Sequence, residues 1–205
     1  MTDITFLEVP FEDKEKVKSL GAKWHSDRRK WFVSAGQNQE PFKEWIPQYE
    51  TKLELEAIAP FYLIKSEEIC YGRTCRKSSS VIALGCNKIK GYEEENFIFS
   101  YVTALKDSLK TFIEKHYPKY YRDFSKTTKT FYFMNHCEHC GIVLGDFFLF
   151  NEPEHAFCPM TSEEASSIEM SQIKRIGTVG ISAEVSSDDL IFQYSKKRVF
   201  DPDFP

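Results

Sequence analysis

Cys70-Tyr71-Gly72-Arg73-Thr74-Cys75 and His136-Cys137-Glu138-His139-Cys140-Gly141 are the two short loops whose reading decides the fold of this chain. Two cysteines separated by two residues can turn inward together from one tight loop. A glycine just after the second permits a positive φ, so that amides can point at the sulfurs. Zinc takes four soft or borderline ligands in a tetrahedron, which calls for a second pair, and Cys70 and Cys75 offer it. Their four-residue spacer is longer than the usual two but lies within the range used by structural zinc sites. Each pair follows an apolar, strand-like run, the layout of a zinc ribbon with two knuckles facing each other across a metal. The expected site is therefore a structural zinc ion held by Cys70, Cys75, Cys137 and Cys140. Two alternatives stand beside it: a set of buried free thiols, and mixed ligation in which His136, His139 or Cys158 replaces Cys70 or Cys75.

The setting suits a metal better than disulfides. No run of about 18 apolar residues exists to span a membrane. Met1-Thr2-Asp3 lacks the basic stretch and apolar core of a signal peptide. A cytoplasmic location is expected, where thiols stay reduced, and six cysteines there argue for ligation. The 205 residues fit a small module followed by a medium one. With a net charge of -4 and a pI of about 5.8, the chain is too acidic to hold duplex DNA by broad charge alone. Any nucleic-acid contact must be local.

A catalytic zinc is disfavoured, because it needs an open coordination position and usually His or carboxylate ligands. His136-Cys137-Glu138 imitates the His-x-Glu of a deaminase, but its central cysteine belongs to the pair itself. A redox role for Cys137/Cys140 lacks the surrounding α/β pattern. Cys86 reads as a core thiol and Cys158 as a packed one. No paired carboxylates, nucleophile motif or phosphate loop is present, so a non-enzymatic protein is expected.

Working outward, the fold class reads as α+β: a small β-α-β-α N-terminal unit over residues 1–50, then an α+β zinc-ribbon-like module over 58–205. In the first unit Ile4 to Val9 alternates as a strand. A helix follows, with Glu12 and Asp13 at its start, its lysines further along and Gly21 as its stop. His25-Ser26-Asp27 reads as a turn, Lys30 to Ser34 as a strand, and Pro41 opens a short helix bearing Phe42, Trp45 and Ile46. In the second module, Phe61 to Ile64, Val81 to Leu84, Thr130 to Met134 and Gly141 to Phe150 read as strands. Tyr101, Leu105, Leu109 and Phe112 form one stripe, which predicts a helix over 97–114. A second helix is expected over 161–175, opened by Thr161 or Ser162 with Glu164 or Glu163 nearby. Thr178 to Tyr194 reads as strand and loop, and the tail from Phe200 to Pro205 as frayed.

The N-terminal run carries a resemblance. Leu7-Glu8-Val9-Pro10-Phe11, Leu20-Gly21-Ala22-Lys23-Trp24, Lys30-Trp31-Phe32-Val33 and Pro41-Phe42 with Trp45 resemble the short domain of unassigned function found in TraC-type plasmid primases and other DNA-processing proteins of mobile elements. The match covers about the first quarter of the chain. From Pro60 onward the sequence looks like a zinc-knuckle module that can follow this unit. The resemblance implies a setting in the DNA metabolism of bacteria or their mobile elements, and no particular reaction.

Two basic, aromatic stretches are the candidate nucleic-acid contacts. Lys23, Arg28, Arg29 and Lys30 surround Trp24 and Trp31, and Lys119, Tyr120, Tyr121 and Arg122 lie between the long helix and the second knuckle. Cations can hold phosphates while rings stack bases. For both stretches the plainer reading is aromatic packing with solvated cations. The expected function is a zinc-binding accessory factor contacting single-stranded or duplex DNA. The alternative is a protein-interaction adaptor or inhibitor with a structural zinc.

Overall fold

A computed structural model describes residues 4–49, 52–174 and 177–200. Met1 to Asp3 and the tail beyond Phe200 lie outside them. The chain divides after Tyr49 into two compact units.

The first unit is an antiparallel three-stranded sheet carrying one helix. β1 (Thr5–Leu7), α1 (Lys14–Ser19), β2 (Lys23–His25) and β3 (Lys30–Val33) follow in order, and the sheet runs β1-β3-β2. The expected β-α-β-α pattern is corrected at two places. The turn expected around His25 is the tip of a hairpin, so Lys23–His25 pairs with Lys30–Phe32 as a third strand. The helix expected after Pro41 is a single 3-10 turn, Glu40–Phe42. Alternation puts Leu7 and Val33 on the core face with Val17, Phe42 and Trp45, all essentially buried. Trp45 fastens the unit: its indole Nε1 donates to Asp13 Oδ2 at 3.0 Å, and its carbonyl accepts from the Glu8 amide at 2.8 Å.

The second unit is built mainly of strands, which overturns the expected α+β ribbon. β4 (Leu55–Ile69), β5 (Ser78–Ile89) and β6 (Phe97–Leu105) form an antiparallel meander. α2 (Asp107–His116) follows, then a small sheet of β7 (Tyr120–Phe124), β8 (Phe131–His136) and β9 (Val143–Leu144). α3 (Asp146–Asn151), α4 (Ser162–Ala165), β10 (Glu169–Ile173), β11 (Val179–Ser187), α5 (Asp189–Tyr194) and β12 (Lys196–Phe200) complete it. β11 pairs with β6 on one side and with the start of β4 on the other, so β4, β5, β6 and β11 close into a four-stranded barrel. The far half of β4 leaves the barrel and pairs with β10, which pairs with β12.

These strands are buried on both faces. Leu63, Leu84, Phe97 and Phe99 point into one core with Leu109, Phe112 and Ile113 of α2. Ile64, Val81, Ala83 and Ile98 point into a second, with Leu149, Phe157 and Met170. Strands covered on both sides read as continuous apolar runs, which periodicity alone does not separate from buried helix. Within β6, Tyr101 adopts a left-handed φ of 46°, and the pairing with β11 slips there between Ser182 and Glu184. There Tyr101 to Thr103 lie opposite the single Ala183, so β6 carries two extra residues and its regular alternation is interrupted. Tyr101 and Leu105, four apart in the strand, stand in helical spacing with Leu109 of the true helix. The expected helix over 97–114 is therefore a strand followed by a helix. Likewise only Val143–Leu144 of the strand expected over 141–150 pairs, and α4 is one turn capped by Thr161 Oγ1, which accepts from the Glu164 amide at 3.2 Å. Among the described residues no helix is long and apolar enough to cross a membrane.

Candidate metal centre

The two cysteine loops are delivered by different layers of the second unit. Cys70 and Cys75 sit on the connection between β4 and β5, whose last paired residues are Ile69 and Ser78. Cys137 and Cys140 follow β8. What brings them together is a set of side chains that replace a missing strand. β6 pairs with β5 only from Leu84 to Cys86. Beyond that point the buried Asn135 carboxamide accepts from the Ile82 amide at 2.8 Å and donates to the Ile82 carbonyl at 2.9 Å. Farther along, Ser79 Oγ accepts from the Glu138 amide at 2.9 Å, and Glu138 Oε2 accepts from the Ser80 amide at 3.1 Å. β8 is thereby docked along β5 and aims the second knuckle at the first.

The four Sγ atoms lie within 4.8 Å of one another. Cys70 and Cys140 are 3.5 Å apart and Cys75 and Cys137 are 3.7 Å apart. Metal–sulfur bonds of about 2.3 Å at tetrahedral angles put neighbouring sulfurs about 3.8 Å apart, so the donor set fits one tetrahedral ion. Four thiolates in that arrangement suit zinc or iron. The backbone suits it too. Gly141 takes a φ of 71°, and its amide closes the knuckle on the Cys137 carbonyl at 2.9 Å. The Gly72 amide donates to Cys70 Sγ at 3.4 Å, and a Cβ at Gly72 would come within 3.3 Å of that sulfur and 3.5 Å of Cys140 Sγ. Burial works to raise the Cys137 thiol, but the amides of Cys140 and His139 and the neighbouring thiols outweigh it and bring it down to about 6. Burial pushes Cys70 up to about 12 against the single amide of Gly72. A bound cation would deprotonate all four, since thiolate is the ligating form.

The other thiols and imidazoles are placed elsewhere. Cys86 is fully buried in the barrel, its thiol pushed up to about 12 by that burial. Cys158 is not in the cluster. His136 stacks on Tyr121 with ring centroids 3.7 Å apart, and its Nε2 lies 3.1 Å from Asp123 Oδ2. His139 Nε2 lies 2.8 Å from the Ser78 carbonyl.

The nucleic-acid candidates separate sharply. Tyr120 and Tyr121 are each 4% exposed and belong to the core, so neither offers a face to a base. Arg122 reaches the Thr103 carbonyl and lies over the Phe133 ring, and Lys119 is half-buried. In the first unit Trp24 is 51% exposed and meets Trp31 edge-on, with Lys23 and Arg29 exposed beside it. Lys30 is held by Glu8, and the Arg28 guanidinium lies 4.6 Å from the Phe6 ring centre. Sequence reasoning missed the outer face of this sheet, where Phe6, His25 and Phe32 form a half-exposed aromatic triad. Their alternation with Leu7 and Val33 was the available signal. It also missed that Tyr71 and Arg76 of the first cysteine loop line one groove with Phe148 of α3, a neighbour that only the fold supplies.

Comparison with known proteins adds a family for the first unit. Residues 5–47 match a domain of unknown function, DUF5710. The DUF5710 segment is similar to parts of two proteins of Escherichia coli called DNA primase TraC. One is 48% identical over 46 residues, which is 22% of this chain and 4% of that protein. The other is 38% identical over 40 residues, 20% of this chain and 3% of that protein. The chain thus spans only a few per cent of the length of the primases it matches. No solved structure matches it.

Proposed function

We propose that this chain is a non-enzymatic, zinc-stabilised accessory factor that binds nucleic acid in the DNA metabolism of bacteria or their mobile elements. The observation that carries the reading is the convergence of four sulfurs, from loops more than sixty residues apart in sequence, at tetrahedral separations. Zinc is the ion assigned, and its role is structural, because four cysteines leave no open position for substrate. The ion would add free energy to a docking of β8 that also buries Phe133 in the barrel core and carries the Asn135, Ser79 and Glu138 hydrogen bonds.

The nucleic-acid part draws support from the first unit. The segment similar to the primases carries a half-exposed Trp24 and, on the other face of the sheet, Phe6, His25 and Phe32 with the exposed Lys23. Rings and cations interleaved in this way suit a single strand, each stacked base adding about 1–3 kcal/mol. Elemental analysis of the purified chain should return one zinc per molecule. A labelled single strand should bind at 50 mM salt and weaken as salt rises, through counterion release. Trp24→Ala should weaken it by about 5- to 100-fold, the equivalent of one lost stack. Native protein without a transition metal, or without affinity for any single strand or duplex at low salt, would end this reading.

A further inference from the structure

Beside the metal centre the second unit opens a groove of about 600 Å³, lined by Ile69, Tyr71, Leu144, Phe148 and Leu149, with Arg76 at its edge. That volume lies in the range of small-ligand sites, about 300–1,000 Å³. Its walls are aliphatic below and aromatic above. Tyr71 is 42% exposed and Phe148 49%, and their ring centroids are 6.0 Å apart. Tyr71 is fixed by its hydroxyl, which donates to the Val143 carbonyl. Phe148 is braced by Phe147, in edge contact at 5.6 Å. The aromatic wall is therefore largely preformed, and little side-chain freedom is left to lose on binding.

The charge around the groove distinguishes its occupant. Arg73, Arg76 and Lys77 are exposed on the same loop as Tyr71. The acidic group in the wall, Glu68, is already engaged: one oxygen lies 3.0 Å from His155 Nδ1, and the other accepts from the Ile69 amide at 2.9 Å. A divalent ion with four thiolates carries a formal charge of minus two. Arg73, Arg76 and Lys77 balance that charge together with the Glu68 carboxylate, so the rim is close to neutral and Arg76, in the groove lining, is the cation placed to meet a phosphate. An aromatic slot on an aliphatic floor with arginine at its edge matches a flat, apolar-faced ring attached to a phosphate.

We propose that this groove takes an unstacked base of a single-stranded nucleic acid, with Tyr71 and Phe148 against the base and Arg76 at the neighbouring phosphate. The proposal rests on the reading of the chain as a nucleic-acid binder and adds a second contact, in the metal-bearing unit. Because the surroundings are close to neutral, stacking dominates at this contact.

The test uses the full chain with its zinc content verified and an oligothymidine carrying one 2-aminopurine. Binding of the wild-type protein should quench the 2-aminopurine by stacking. Phe148→Ala should lower affinity by about 5- to 100-fold and remove most of the quench. Arg76→Glu should lower affinity while the quench at saturation remains. Phe148 is half-exposed, and one zinc per chain in the variant reports an intact centre. If Phe148→Ala and Arg76→Glu both bind with wild-type affinity and quench, the groove is not a base site, and a loss in Trp24→Ala would leave the first-unit reading standing. If the wild-type chain binds no single strand, both readings fall together. If a Leu- and Phe-rich peptide fills the groove and leaves the quench by nucleic acid untouched, the groove belongs to a protein partner and the proposal is overturned.

Discussion

Asp146 gives the sharpest stability test in the second unit. It opens α3, is 2% exposed, and uses Oδ2 to accept from the Tyr101 amide at 2.7 Å, while Oδ1 has no hydrogen-bond partner. Tyr101, Tyr120, Tyr132 and Glu184 face it, and none of them is a cation. Burial outweighs the Tyr101 amide and raises its carboxyl from 3.8 to about 7. The folded chain therefore holds a proton on Asp146 that the unfolded chain gives up. Between pH 4 and pH 7 the unfolded state binds fewer protons at this group, so its contribution to stability falls as pH rises. At about 1.4 kcal/mol per tenfold change in proton affinity, the whole displacement makes about 4 kcal/mol. Roughly 2 kcal/mol of that falls between pH 5.5 and 8. Asp146→Asn keeps an oxygen for the Tyr101 amide and removes the titration. Urea unfolding of both proteins, with zinc present throughout, should show the variant gaining about 2 kcal/mol on the wild type from pH 5.5 to 8. A difference that stays flat across that range, or that moves the other way, would refute the assignment of a buried neutral acid.

Three further substitutions probe the architecture. Asn135→Ala removes the carboxamide that pairs both backbone groups of Ile82; it should cost about 2–4 kcal/mol in chemical denaturation, since two buried polar groups lose their partners. Gly72→Ala places a methyl group 3.3 Å from Cys70 Sγ and 3.5 Å from Cys140 Sγ. Because a bound ion pins those sulfurs, competition with a chromophoric chelator should show about a tenfold loss of zinc affinity with little change in the circular dichroism of the loaded protein. Gly85→Ala would set its Cβ 2.8 Å from the Phe97 carbonyl, across the β5–β6 pairing; backbone atoms on both sides must separate, and the melting temperature should fall by an amount equivalent to about 1–3 kcal/mol.

The four-cysteine cluster was legible because its chemistry is local. A Cys-x-x-Cys loop with a following glycine declares its geometry within six residues, and a second pair was required by coordination number. Thr161 with Glu164 was readable as a helix start for the same reason. The barrel was not readable, because its evidence is non-local: strand closure through β11 and β4 leaves no mark in either strand. Double-sided burial erased the alternation that marks a strand, and the four-residue spacing of Tyr101, Leu105 and Leu109 ran helix-like across the β6–α2 boundary. The fate of Tyr120 and Tyr121 turned on β7 pairing with β8, which draws both rings inward. Their basic neighbours gave no warning of that.

The seam between β5 and β8 has a consequence for how the protein comes apart. The barrel closes through its own backbone pairing, whereas the small sheet joins it through side chains: the buried Tyr120 and Phe133, Arg122 on the Thr103 carbonyl, and, at the knuckle end, Asn135, Ser79 and Glu138. Removing an ion held by the four cysteines should therefore loosen the two knuckles and β9 first, while β4, β5, β6 and β11, and the β7–β8 pair packed on them, keep their amide protection. The metal-free chain would then be a folded barrel with a frayed cysteine end, and not an unravelled polymer.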